Sequence, residues 1–250
     1  MEKFGKNEIH QVKHIQVEIV CECSLLQKAM RNFVFSLLNT IRDIPYLRGW
    51  RRGGISYWKW RARKFGAHSV LNLGHGTIEF EKVTEQQKLQ LYPWFRRQLT
   101  GKERLVMDFG CGPGRFTGDL AEMIHGNAVG IDPIRDLLAQ APARSGVEYK
   151  QMEQGTIPLV DGSVDVAWVC LVLGGIQGNE LVRAVREIER VLKPDGLLFL
   201  VENTSDKEDG PYWKFRTVSQ YTAMFPGRNL VHLHDYEDLG ERISILSGRH

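Results

Sequence analysis

Long apolar runs are missing from this 250-residue sequence: nowhere do about 18 apolar residues follow one another, which excludes a membrane-spanning helix. The amino end, MEKFGKNE, is charged and has no apolar core behind it, so a secretory signal is not expected and a cytoplasmic location is. Cysteine is scarce. Cys21, Cys23, Cys111 and Cys170 make no metal-ligand spacing beyond one C-x-C, so reduced thiols are expected and no metal site is. Internal repeats and low-complexity tracts are absent as well, which rules out a solenoid. What remains is ordinary for one globular fold with appendages: 42% apolar and 25% charged residues.

Glycine is concentrated where it carries information. In LVMDFGCGPG (105–114) an apolar run breaks into glycines at alternate positions, at the point where a strand hands over to a helix expected over 115–124. Gly110, Gly112 and Gly114 lack a Cβ, so the backbone there can take left-handed dihedrals and lie against a ligand. A helix starting behind them offers free N–H groups to an anion. Asp132 ends the next apolar run, AVGID (128–132), about 20 residues beyond the turn, where a carboxylate accepts hydrogen bonds from ribose hydroxyls.

Two nucleotide cofactors compete for such a turn. A dinucleotide needs G-x-G-x-x-G, and here Arg115 stands where the third glycine belongs. Asp108, two residues before the first glycine, would repel a pyrophosphate but hold an ammonium group. No tyrosine has a lysine four positions on, so the catalytic pair of short-chain dehydrogenases is lacking too. From about 105 to 201 the residues resemble, in order, the class I S-adenosylmethionine-dependent methyltransferases of the small-molecule type. The glycine turn and Gly130-Ile-Asp132 match the first two motifs; QMEQGTIP (151–158), DGSVDVAW (161–168) and IERVLKPDG (188–196) match the third, the fourth strand and the turn before the fifth.

The resemblance implies S-adenosylmethionine as cofactor, with Asp108, Gly110 and Gly112 around its methionine end, Asp132 at the ribose, Met152 and Glu153 at the adenine, and Cys170 by the sulfonium. Gly118 reads as a packing position, Asp161-Gly162 as a tight turn, and Asp165 as a brace for the fourth strand. Short apolar runs alternating with helical stretches call for an α/β fold. The expected architecture is a doubly wound, mostly parallel, seven-stranded Rossmann-like sheet closed by an antiparallel C-terminal pair. Its strands are placed near 105–109, 128–132, 147–151, 164–171, 197–202, 229–236 and 241–247, with helices over 180–192 and 217–225 among those between them.

An N-terminal helical extension or lid is assigned to 1–100 and the cofactor-binding domain to 101–250. Residues 25–41 carry apolar side chains at three and four spacing, an amphipathic helix ended by Pro45. A turn, NLGHG (72–76), carries His75, and a helix over 84–99 with Thr84 as its cap leads into the first strand. Charge is uneven. Residues 1–70 hold 13 basic and 5 acidic side chains, a balance of +8, so the rest carries −5 of the total +3. Within 42–64 eight basic residues are interleaved with Trp50, Trp58 and Trp60, which suits a solvated face, an anionic membrane surface or an anionic partner. The amphipathic helix suits a cofactor cover, peripheral membrane contact or a homodimer seam.

Methyl transfer is an in-line displacement, and a hydroxyl acceptor also needs a base. Family members often carry a histidine past the fourth strand; here Gly174-Gly175 stand there, which opens room for a bulky acceptor. Glu202 and His75 are the candidate bases. His232 and His234, two apart on a strand, with Asp235 or Glu237 form a weaker metal-binding pattern. Neither the Asn/Asp-Pro-Pro-Tyr of exocyclic-amine nucleic-acid methylases nor the Pro-Cys of cytosine-C5 enzymes occurs, so a small-molecule acceptor rather than nucleic acid is expected. The C-terminal stretch resembles saccharide and natural-product methyltransferases, which makes a sugar hydroxyl the expected target and Tyr212 and Trp213 candidate stacking faces. Methylation of an amine or of a membrane lipid or quinone, and an RNA-binding module that has lost catalysis, are the alternatives.

Overall fold

The structure, a computed structural model, describes residues 54–76 and 78–250. The helix expected over 25–41 and the first part of the basic segment lie outside the described residues.

Seven strands form one sheet: β1 (Leu105–Phe109), β2 (Asn127–Asp132), β3 (Val147–Gln151), β4 (Val164–Cys170), β5 (Leu192–Asn203), β6 (Val231–Asp238) and β7 (Glu241–Gly248). Their order is β3-β2-β1-β4-β5-β7-β6, parallel except for β7, which runs against both β5 and β6. Central strands buried on both faces read as unbroken apolar runs, which is why VMDF and VAWVC carry no polar alternation beyond Asp108. The order reverses between β1 and β4. That switch leaves a crevice at the carboxyl ends of the strands.

Side chains alternate across the sheet and feed two core layers. Met107, Phe109 and Leu200 enter one, with Ile188 and Val191 from helix α5 (Gly178–Val191). Val106, Trp168 and Phe199 enter the other, where Trp168 stacks on Phe199 at 4.9 Å between centroids. Helix α2 (Phe80–Gln98) covers that second layer with Leu91 and Phe95, both fully buried. The chain from α2 onward shares one core with the sheet, because the helix preceding β1 buries its apolar face on it. The expected start of this helix moves. Thr84 sits one turn inside, its Oγ1 donating to Phe80 O at 2.9 Å, and Glu79 is the cap.

Upstream lies α1 (Gly54–Phe65), followed by two short 3-10 turns at Gly66–Val70 and Leu73–His75. Behind the glycine turn comes α3 (Thr117–Met123), after β2 the single turn α4 (Arg135–Leu138), and before β6 the helix α6 (Val218–Met224). A capping box starts α6: Gln220 N–H donates to Thr217 Oγ1 while Thr217 N–H donates to Gln220 Oε1. Between β6 and β7, Leu239 at φ +54° and Gly240 at φ +73° make a two-residue turn with both dihedrals positive. Asp238 and Glu241 face each other across its base, at the same end of the sheet as the crevice.

Candidate functional site

The glycine turn has the backbone its composition requires. Gly110, Gly112 and Gly114 sit at φ +72°, +55° and +76°. A Cβ on Gly110 would stand 2.5 Å from Val172 and one on Gly112 2.8 Å from Val70, so no side chain fits either place. The turn is fastened to β2: Gly110 and Cys111 N–H donate to Ile131 O, and Gly112 N–H donates to Asp132 Oδ2 at 2.9 Å. Asp132 Oδ1 takes a second amide, Ile134 N–H, at 2.7 Å. Burial pushes this carboxyl up to about 6 against the pull of the two amides. Asp108 lies deeper. Burial pushes it to about 7, opposed by the Thr117 hydroxyl at 2.6 Å and the Arg115 charge and reinforced by Asp132.

A cavity of about 870 Å³ opens over this turn. Of the residues expected at the cofactor, Asp108, Gly110, Asp132, Met152, Glu153 and Cys170 line it. Gly112 does not; its role is the amide that fixes Asp132. Met152 is placed by its own N–H on Asp132 O. Sequence reasoning missed Arg115, read only as the absent third glycine. Its guanidinium reaches the cavity, 4.6 Å above the Phe116 ring, and donates to Gln87 Oε1 at 2.6 Å. A cation directly behind an alternate-glycine turn was the signal for it.

Glu202, expected as a base, is corrected. It is fully buried and does not line the cavity. Oε1 accepts from Val172 and Leu173 N–H at 2.9 and 2.6 Å, and Oε2 from Gly174 N–H and the Tyr221 hydroxyl at 3.2 and 3.3 Å. It holds the loop after β4 in place. The room expected at Gly174 and Gly175 is also taken. A Cβ on Gly174 would lie 2.8 Å from Trp213 Nε1, and one on Gly175 2.7 Å from Trp58, so these glycines seat two indoles. Trp58 Nε1 donates to Gly175 O at 3.3 Å.

His75 is where a lid residue was expected, beside the hairpin, but it faces a carboxylate: Nε2 lies 2.9 Å from Asp238 Oδ1. Asp238 lines the cavity and also accepts from Gln87 Nε2 at 3.4 Å. The histidine pair separates. A bulge between His232 and His234 breaks their shared face; His232 pairs with Asp235 at 2.7 Å and His234 stacks on Trp94. Asp165 braces the sheet as expected, accepting from Arg104 and Leu105 N–H and pairing with Lys193.

A family model described as a methyltransferase domain matches residues 107–200. An uncharacterized methyltransferase of Mycobacterium bovis is 32% identical over 143 residues, 56% of this chain and 55% of that protein. An S-adenosylmethionine-dependent methyltransferase of Leishmania major shares the fold with a TM-score of 0.61 at 18% identity, over 80% of this chain and 82% of that one. Over residues 107–200 the chain carries a class I S-adenosylmethionine-dependent methyltransferase domain. Also similar is alpha N-terminal protein methyltransferase 1 of Arabidopsis thaliana, 26% identical over 193 residues, 66% of this chain and 68% of that protein. The chain spans about half the length, 55%, of its mycobacterial relatives.

The cofactor of the family is S-adenosylmethionine, and the donor set of this methyltransferase fits it. Buried Asp108 suits an ammonium, Arg115 a carboxylate and Asp132 a vicinal diol, while a pyrophosphate would meet two carboxylates.

Proposed function

We propose that this methyltransferase transfers the methyl group of S-adenosylmethionine to a heteroatom of a small-molecule acceptor. The observation that carries the reading is the continuity of the cavity. Asp108, Arg115 and Asp132 line it together with Trp58, Tyr212, Trp213, Asn203 and Asp238, and about 870 Å³ gives room for a cofactor and a small acceptor in one space. The bound cofactor supplies an activated methyl on a sulfonium. The protein aligns the acceptor and keeps water out, which is most of what in-line transfer asks.

The sugar hydroxyl expected from the sequence calls for a base. With Glu202 committed to the loop, the group in position is Asp238 backed by His75, and Tyr212 and Trp213 offer flat faces to a sugar ring. A nitrogen acceptor is the second reading. The carboxylate on the acceptor wall favours it, and one relative is named for methylating a protein α-amine. Incubation with methyl-labelled cofactor and a panel of amino and neutral saccharides separates the two. Label in no acceptor, together with no binding of S-adenosylhomocysteine, would remove the methyltransferase assignment of function.

A further inference from the structure

We infer that Asp238 makes the acceptor half of the cavity a subsite for a protonated amine, an inference that rests on the methyl-transfer reading. Two independent observations meet there. The first is electrostatic. Asp238 is the last residue of β6, its side chain only 15% exposed, and among the described residues its sole ion-pair partner is His75. With His75 Nε2 2.9 Å from Oδ1 and 3.3 Å from Oδ2, and Gln87 donating to Oδ2, lone-pair sites remain for another donor. Neighbouring Glu241 is spent: Lys207 holds one oxygen at 2.6 Å and Asn203 the other at 2.6 Å. Glu208, exposed, lines the same cavity and has no partner among the described residues, while Arg115, one of four cations in the lining, meets Asp238 only through the shared Gln87 side chain.

The second observation is aromatic. Tyr212, Trp213 and Phe215 line the same cavity, and no cation lies over any of them among the described residues, although one face of Trp58 already carries Arg61 at 5.1 Å and one face of Tyr212 stacks on Tyr57 at 4.2 Å. Ring faces and a carboxylate lining one cavity are surroundings in which an ammonium is stabilised. Transfer to the amine balances simply. The ammonium releases its proton to Asp238 or water, the N–C bond forms as the sulfur–carbon bond breaks, and sulfur leaves as a neutral thioether.

The test uses the full chain saturated with S-adenosylhomocysteine at pH 7.5. Benzylamine, benzyltrimethylammonium and benzyl alcohol are titrated in turn by calorimetry. Both cationic probes are expected to bind at least tenfold tighter than the alcohol. Asp238→Asn should bring the three within about threefold of one another, and Glu208→Gln should narrow the gap in part. Equal or tighter binding of benzyl alcohol, or an unchanged preference in Asp238→Asn with S-adenosylhomocysteine still bound, overturns the subsite alone. Failure of the wild-type chain to bind S-adenosylhomocysteine overturns it together with the reading beneath it. A tetrapeptide with a free amino terminus, run against its acetylated form, assigns the source: tighter binding of the free form than of benzylamine supports the subsite and gives it to a polypeptide terminus.

Discussion

Asp132 shows how much one carboxylate is asked to do. Two amides hold it in the orientation a diol needs, so the cofactor meets a group that has already lost its freedom. Hydrogen bonds from a ribose to this carboxylate would be charge-assisted, each worth about 1.5–3 kcal/mol. Asp132→Ala should weaken S-adenosylhomocysteine on the order of 100-fold by calorimetry; a loss under about threefold would take the ribose away from this residue. Asp108 and Asp132 also give binding a pH dependence. Burial raises them to about 7 and about 6 in the free protein, and an ammonium or a diol is bound by the ionised form. Affinity should therefore be complete above pH 8 and fall as pH drops through 7 toward 5. Asp108→Asn should remove the upper part of that fall, and a flat profile in the wild type would contradict the assignment. Glu202 answers to different physics: Glu202→Gln turns an amide N–H₂ toward backbone N–H groups in a dry site. The expected cost is about 2–4 kcal/mol in thermal unfolding, with cofactor affinity kept. At this scale Asp132 stood out because it ends an apolar run about 20 residues beyond the glycines, and Asp108 because it is the acid inside the strand before them. Glu202 was misread because its donors sit about 30 residues upstream, at 172–174, where no local pattern reports them.

The loop after β4 is the element on which the acceptor wall depends. Glu202 binds its amides, Arg216 donates to Leu173 and Ile176 O, and Lys214 N–H donates to Gly174 O, so segments from β5 and before α6 converge on six residues. The two glycines then let Trp213 and Trp58 close over them. Gly174→Ala should displace Trp213 at a cost of roughly 1–3 kcal/mol in unfolding free energy. It should weaken binding of the cationic probes while leaving S-adenosylhomocysteine in place; retained probe binding would show that the indole does not shape the wall. Strands were the most readable elements, since a doubly covered parallel strand is a short apolar run bounded by turns. The start of α2 was not. Thr84 looks like a cap, but Phe80 to Val83 contain no residue that stops a helix, and the helix runs back to Glu79.

Across the whole molecule, the far end of the chain is fastened to the entry of the sheet. Arg249, after β7, pairs at 2.6 Å with Glu103, which lies just ahead of β1 and takes the N–H groups of Thr100 and Gly101. Burial raises the Glu103 carboxyl, yet these amides and Arg249 prevail and hold it at about 2. A folded value below the unfolded one means stability that is present above about pH 4.5 and is lost as pH falls toward 2. Glu103→Gln should flatten that part of the wild-type acid unfolding curve; identical curves would remove the clasp from the stability of the fold. The same scale separates what residue order settles from what it leaves open. Strand sequence, the glycine turn and the acid one strand later settle the sheet and the cofactor end, because those features follow from periodicities of two and 3.6 and from the dihedral freedom of glycine. The acceptor wall was decided only by tertiary packing. Trp58, Asn203, Trp213 and Asp238 come from four segments, and which groups face the cavity depends on where the hairpin, the loop after β5 and α1 close over the strand ends.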